Sequence, residues 1–161
     1  MSKCESTLHV RDACPADAAT ITEFNCGVAR DSEHVALDRE RVRAGVEKAL
    51  GRPDLCRYFV AERDGELIGQ VMITLEWSDW RARLFWWIQS VYVTPAYRRQ
   101  GVMRAMIDHI ETLARQDSEV CGLRLYVEQD NETAIRAYKR LGLTPSGHVI
   151  YERDWASPKR S

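Results

Sequence analysis

The chain has 161 residues, 45% of them hydrophobic and 29% charged, and its 23 Lys and Arg stand against 24 Asp and Glu for a net charge of −1. That length suits a single domain, 1–161, with one continuous core, and the near-neutral charge argues against a protein that coats nucleic acid or an anionic membrane. No apolar stretch reaches transmembrane length, and Met1 to Val10 lacks the apolar middle of a secretory signal, so a cytoplasmic location is expected.

In chain order, His9 to Asp12 reads as a short first strand. Pro15 suits the first turn of a helix whose apolar residues Ala18, Ile21, Phe24 and Val28 recur at helical spacing. Asp38 can cap a second helix with Val42, Val46 and Leu50 on one face, stopped by Gly51 and Pro53. Tyr58 to Arg63 and Glu66 to Leu75 are strands flanking Asp64-Gly65, a pair that tolerates the positive φ of a two-residue hairpin turn. Glu76 to Arg83, polar and Trp-rich, is expected to be a connection, and Phe85 to Val93 a strand buried on both faces.

From Gly101 the period changes: Val102, Met103, Met106, Ile107, Ile110, Leu113 and Ala114 mark a helix ending near Gln116. Gly122 to Val127 is a further strand. Asp130 or Asn131 can cap a last helix bearing Ala134, Ile135, Ala137, Tyr138 and Leu141, closed by Gly142, and Val149 to Arg153 reads as a final strand. Hairpins in the middle imply antiparallel pairing, and later helical crossovers imply some parallel pairing. The expected architecture is a mixed α/β sheet with helices on both faces.

Cys4, Cys14, Cys26, Cys56 and Cys121 are odd in number and contain no C-x-x-C pair, so reduced, mostly buried thiols are expected rather than a disulfide framework. His9, His34, His109 and His148 show no ligand spacing either, and no metal is expected.

The most informative stretch runs Val91-Tyr92-Val93-Thr94-Pro95-Ala96-Tyr97-Arg98-Arg99-Gln100-Gly101-Val102-Met103. A buried strand passes through a short polar turn into a long amphipathic helix. The first turn of such a helix has N–H groups without intrahelical partners and the positive end of the macrodipole, which suits a pyrophosphate. Gly101 removes a Cβ from the approach, and Arg98, Arg99 and Arg104 add full charges. No G-K-[ST] follows, so this is not a nucleotide P-loop.

Arg98-Arg99-Gln100-Gly101-Val102-Met103 resembles the R-x-x-G-x-G/A pyrophosphate motif of the GNAT superfamily of acetyl-CoA-dependent N-acetyltransferases, with Met103 in place of the last small residue. Asn131-Glu132-Thr133-Ala134-Ile135-Arg136-Ala137-Tyr138-Lys139-Arg140-Leu141-Gly142-Leu143 is similar to its N-x-x-A-x-x-x-Y-x-x-x-G-F segment, with Leu143 for Phe. The two occur in family order, and the elements fit the family along nearly the whole chain. The resemblance implies a largely antiparallel sheet with a splayed central strand pair, and acetyl-CoA as co-substrate. Backbone around Val91, Tyr92 and Val93 would run beside the pantetheine, the turn from Arg98 through Arg104 would hold the pyrophosphate, and the segment with Asn131 and Ala134 would contact the pantetheine. Tyr138 would lie near the thioester sulfur.

Acetylating an amine requires a proton to leave the amine, a donor for the negative charge growing on the carbonyl oxygen, and a proton for the departing thiolate. Tyr138 is the candidate for that last proton, and a main-chain N–H near Val91 for the oxyanion. Some members of the superfamily carry a Glu on the strand before the loop; here that position is Trp87, which takes no proton, and Gln89, two residues on, can bond but not act as base. Glu76 is the first candidate base, directly or through water, and Glu128 the second.

Asp31, Glu33, Glu76, Asp79 and Glu128 can form an acidic rim that attracts a cationic amine. Trp77, Trp80, Trp86 and Trp87 can line an aromatic pocket or bury a dimer interface. The expected acceptor is a small-molecule amine, with no nucleic acid or membrane partner and, by analogy with proteins of this shape, a homodimer. The alternatives are a protein lysine or N-terminal acetyltransferase and a catalytically silent acyl-CoA-binding module.

Overall fold

The computed structural model describes residues 7–156, which fall into two compact units, one ending at Tyr126 and the other beginning at Val127. The first contains strands β1 (Leu8–Asp12), β2 (Cys56–Arg63), β3 (Glu66–Ser78), β4 (Arg83–Val93) and β5 (Val120–Leu125), and helices α1 (Ala18–Val28), α2 (Arg39–Leu50) and α3 (Val102–Gln116). The sheet order is β1-β2-β3-β4-β5; the first four strands are antiparallel, and β5 runs parallel to β4 after the α3 crossover.

Local chemistry sets the joints. A single turn at Pro15–Asp17 leads into α1, and the buried Asp17 carboxylate accepts from the Cys14 N–H at 2.8 Å and from Arg11 at 2.8 and 3.1 Å. Asp38 caps α2 as expected, its Oδ1 accepting from the Glu40 and Arg41 N–H groups. The β2–β3 turn puts Asp64 at φ +53° and Gly65 at +81°, the pair of positive values that a type I′ turn needs.

Alternation along the strands then assigns the faces. Tyr58 and Val60 pack with Ala18, Ile21 and Val46 beneath α1 and α2, and on the same face Tyr92 meets Phe24 with ring centroids 5.3 Å apart. On the opposite face Phe59 meets His109 of α3 edge-on at 5.6 Å, and a Cβ at Gly69 would lie 3.3 Å from Val102 and Met106. Helices therefore cover both faces.

Two irregularities in β4 shape the site. Met72 pairs with Ser90 but Ile73 pairs with Ile88, so Gln89 is an extra residue, a bulge. The β4–β5 ladder ends at Ile88 and Leu125, while β4 continues to Val93 paired with β3 alone.

Several boundaries differ from the sequence reading. β3 extends to Ser78 because Trp77 pairs with Leu84 and Ser78 with Arg83, so Glu76 and Trp77 sit on a strand, and the connection shrinks to residues 79–82. Cross-strand pairing of large side chains outweighed the local polarity there. In the second unit α4 (Glu132–Arg140) forms with Asn131 as its cap, but the strand expected at 149–153 does not form. Those residues pair with no other strand, and Tyr151 is 91% exposed; an alternating apolar pattern makes a strand only where a ladder partner satisfies its backbone. Cys4 lies outside the described residues.

Candidate active site

After Val93 the chain makes one turn, Pro95–Tyr97, passes Arg99 at φ +61° and Gly101 at φ +79°, and enters α3. The left-handed φ at Gly101 lets the chain reverse onto the helix axis, which is why glycine suits this position. The Gly101 carbonyl accepts the first helical bond from the Ala105 N–H at 2.9 Å. The Val102 and Met103 N–H groups belong to the first turn and have no intrahelical acceptor. A Cβ built on Gly101 would meet no atom within 4 Å, so the glycine borders open space at the positive end of a 15-residue helix. These features fit a diphosphate, held mainly by main-chain N–H groups.

The side chains of the loop brace it. Arg98 Nε donates to the Val93 carbonyl at 2.9 Å and Nη2 to Asp31 at 2.6 Å, and its guanidinium lies 5.6 Å from the Tyr92 ring centroid. The hydrogen bond from Arg98 lowers the Asp31 carboxyl below its ordinary pKa. Gln100 donates to the Ala96 carbonyl at 2.8 Å and accepts from Arg63 at 3.1 Å. Val102 points into the core at 1% exposure. Asp31, expected on an acceptor rim, braces the Arg98 loop from a short π-helical turn, Ala29–Glu33, that follows α1. The side chain of Glu33 lies outside the described residues.

On the sheet face shared with Tyr58 and Tyr92, the strand register sets Thr74, Glu76, Trp87 and Arg124 on neighbouring rungs, with Gln89 at the bulge. Gln89 donates to the Thr74 hydroxyl at 3.0 Å and accepts from the Tyr126 hydroxyl at 3.4 Å. The Trp87 and Tyr126 rings lie 6.0 Å apart. Arg124 donates to Glu76 at 2.6 Å, and its guanidinium sits 3.8 Å from the Phe85 ring centroid.

Arg124 was missed by the sequence reading. Its signal was a lone charge between Leu123 and Leu125 on an otherwise apolar strand. The four tryptophans do not share a pocket: Trp77 and the buried Trp86 lie on the α3 face, Trp87 on the other, and Trp80 is 93% exposed on the loop. Asp79, exposed on that loop, accepts the Trp80 N–H at 2.9 Å.

Deeper on this face, Asn25 links Gln70, which donates to it at 2.7 Å, to the Tyr58 hydroxyl at 3.2 Å. Gln70 Oε1, Ser90 Oγ and Trp87 Nε1 are buried and meet no protein partner.

In the second unit, Asn131 Oδ1 accepts from the Ala134 N–H at 3.1 Å and thereby caps α4, which leaves the amide Nδ2 available to a ligand. Leu143 N–H bonds the Tyr138 carbonyl, and Gly142 closes the helix at φ +84°. Burial pushes the Tyr138 phenol above its ordinary pKa. Glu128 is exposed, and its carbonyl accepts from the Asn131 N–H. Among the described residues, no group of three or more His, Cys, Asp or Glu could hold a metal ion, and no helix is long and apolar enough to cross a membrane.

β4 loses its ladder partner after Ile88 and leads into the open N-terminus of α3, and comparison with known proteins gives the class. The model of the acetyltransferase (GNAT) family matches residues 22–143, and the chain belongs to that family. It is 30% identical over 107 residues to a mycothiol acetyltransferase of Mycolicibacterium gilvum (strain PYR-GCK), covering 62% of this chain and 34% of that protein. It is 29% identical over 119 residues to a thialysine N-epsilon-acetyltransferase of Bos taurus, covering 69% of this chain and 67% of that protein. The chain thus spans about a third of the first relative's length and two thirds of the second's. Among solved structures, a possible acetyltransferase from Clostridium difficile 630 superposes with a TM-score of 0.88 at 34% identity, covering 93% of this chain and 99% of that one. An aminoglycoside N-acetyltransferase in complex with CoA gives 0.80 at 15% identity, covering 97% of this chain and 100% of that one, a likeness of fold.

Proposed function

We propose that the chain transfers an acetyl group from acetyl-CoA to the primary amine of a small molecule, by direct attack with both substrates bound. The observation that carries this reading is the end of the β4–β5 ladder at Ile88, which leaves Val91 to Val93 paired with β3 alone as β4 leads into the open N-terminus of α3 behind Gly101. When bound, acetyl-CoA supplies a thioester carbonyl open to attack by an amine.

The chain's own residues then divide the work. Main-chain N–H groups from Gly101 to Arg104 hold the pyrophosphate, with Arg98 braced by Asp31 fixing the loop that presents them. The exposed edge of Val91 to Val93 runs beside the pantetheine, with an N–H near Val91 facing the carbonyl oxygen. Asn131 Nδ2 contacts the pantetheine. Tyr138, kept protonated by burial, gives its proton to the leaving sulfur. Glu76 stands opposite Phe85, four residues along β4 from Gln89, an interval of about 10–13 Å. It therefore takes part in deprotonating the amine only through water, as does the exposed Glu128. The relatives' named acceptors differ in kind, so they do not choose the acceptor for this chain.

Calorimetric titration with acetyl-CoA tests the reading, with Gly101→Asp as the comparison. Saturable binding by the wild type and its loss in the variant support it, because Asp adds bulk and negative charge beside the phosphates. A folded wild type that binds no acetyl-CoA overturns it.

A further inference from the structure

Three buried polar atoms on one face of β3 and β4 have no partner among the described residues: Gln70 Oε1, Ser90 Oγ and the indole nitrogen of Trp87. The register puts them on successive rungs of that face. Gln70 stands opposite Tyr92, Ser90 opposite Met72 and Trp87 opposite Thr74, with the Gln89 bulge between the last two rungs. Gln70 is wholly buried, and its amide is held in one orientation: Nε2 donates to Asn25 at 2.7 Å, which leaves Oε1 as a free acceptor. Buried polar atoms left unpaired are costly, so these call for a partner from outside the protein.

Their place along β4 says which part of a ligand they meet. Thr94 N–H donates to the Ile68 carbonyl of β3 at 2.9 Å. Alternation then turns the Tyr92 N–H toward β3 and those of Val91 and Val93 toward the edge that β5 leaves after Ile88. Ser90 Oγ is four bonds from the Val91 nitrogen, at most about 5 Å, so it borders the acyl group whose carbonyl that N–H faces. On the far side the place is closed. Tyr92 packs against Phe24 with ring centroids 5.3 Å apart, and a Cβ at Gly27 would lie 2.7 Å from the same ring. A closed polar site beside the oxyanion donor suits the short end of an acyl chain better than an acceptor molecule, whose bulk stays toward solvent. A single hydroxyl satisfies it, donating to Gln70 Oε1 and accepting from Ser90 or the Trp87 N–H. A carboxylate would set its own lone pairs against the Gln70 oxygen.

We propose that the chain takes a 2-hydroxyacyl-CoA, of which glycolyl-CoA is the smallest, as an acyl donor, with the hydroxyl held between Gln70 and Ser90. This rests on the acetyltransferase reading above and extends its donor side. An acetyl group leaves the place to a water, and the glycolyl hydroxyl fills it. The amine loses one proton and its nitrogen bonds the carbonyl carbon as the thioester C–S bond breaks. The departing sulfur takes up a proton, and the hydroxyl passes intact into the product. The products are an N-glycolyl amide and free CoA.

The test needs no acceptor. Acetyl-CoA, propionyl-CoA and glycolyl-CoA are titrated calorimetrically into the wild type; the last two differ only in a methyl against a hydroxyl. Glycolyl-CoA is expected to bind about 5- to 30-fold tighter than propionyl-CoA. Ser90→Ala and Gln70→Leu each bring that ratio toward one. The wild-type ratio itself needs no variant, so a poorly folding substitution does not remove the test. A second arm titrates ethanolamine and propylamine into the CoA-saturated protein. Intact acetyl-CoA binding with no preference for glycolyl-CoA overturns this proposal and leaves the transferase reading standing; a preference for ethanolamine in that case assigns the hydroxyl to the acceptor. A glycolyl preference that survives both substitutions also overturns the site. Absence of binding by all three thioesters overturns both readings.

Discussion

Asp31 and Arg98, 67 residues apart in the chain, meet at 2.6 Å, and the same guanidinium donates to the carbonyl of Val93 at the end of β4. One side chain thus ties the turn after α1 to the end of β4 and the start of the loop that leads into α3. The pair is partly exposed, at 28% and 44%, so its direct worth to stability is small, about 0–1 kcal/mol. Its worth is geometric: it fixes the loop that aims the helix N–H groups. Asp31→Asn is expected to weaken acetyl-CoA binding several-fold by calorimetry, about 0.5–1.5 kcal/mol, with little change in Tm. Equal binding by the variant would show that the loop holds its shape without the pair.

Gly101 and Gly65 have nearly the same backbone conformation, φ +79° and +81°, and neither would bring a Cβ within 4 Å of another atom. Replacing either by Ala imposes the same left-handed strain, about 1–2 kcal/mol. The two variants should therefore lose similar amounts of stability in urea melts, while only Gly101→Ala loses affinity for acetyl-CoA. A matched loss of affinity in both would assign the effect to strain rather than to the ligand's approach.

Asp17 is buried, and the hydrogen bond from Arg11 is the largest of the effects that lower its carboxyl below the ordinary 3.8. A lowered folded-state pKa means that the unfolded chain binds the proton more readily. The resulting stability is fully present above about pH 4 and is lost as the pH falls through the folded value. Asp17→Ala should cost about 1–3 kcal/mol at neutral pH, since it strands the Cys14 N–H and Arg11, and should flatten the acid limb of the stability curve. Denaturant melts between pH 3 and 7 measure both effects; a variant with an unchanged acid limb would point to other carboxylates.

Gly27 faces Tyr92 so closely that a Cβ there would lie 2.7 Å from the ring's Cζ. Tyr92 is buried against Phe24 and has little room to withdraw. Gly27→Ala should therefore destabilise by about 1–3 kcal/mol despite its better helix propensity. A stabilised variant in thermal melts would mean that the ring moves freely.

What the sequence made legible is what short-range chemistry controls. Asp38 and Asn131 cap their helices, Asp64-Gly65 turns the hairpin, and the Arg98-to-Met103 turn opens α3 as read. The bulge at Gln89 left no mark, because it depends on register against β3 rather than on residue type. The contact of Asp31 with Arg98 was not legible because the two lie 67 residues apart. Consecutive Trp86 and Trp87 looked like one cluster until strand alternation set them on opposite faces. The strand expected at 149–153 had the right pattern and no partner to pair with.

The sharpest prediction concerns Tyr138. Burial raises the pKa of its phenol, so the group remains a proton donor through neutral pH and titrates only above 10. As the acid for the leaving sulfur it acts after both substrates are bound, so its loss should fall on turnover rather than on binding. Tyr138→Phe keeps the ring and removes only the hydroxyl. It is expected to lower kcat by about 10²–10⁴-fold with KM for acetyl-CoA nearly unchanged, and to erase the alkaline fall in rate that deprotonation of the phenol produces in the wild type. Steady-state rates of CoA release across pH 6–11 give both readouts. A Phe variant that turns over as fast as the wild type, with the same pH profile, removes Tyr138 from the chemistry and returns it to the ordinary role of a packed helix tyrosine.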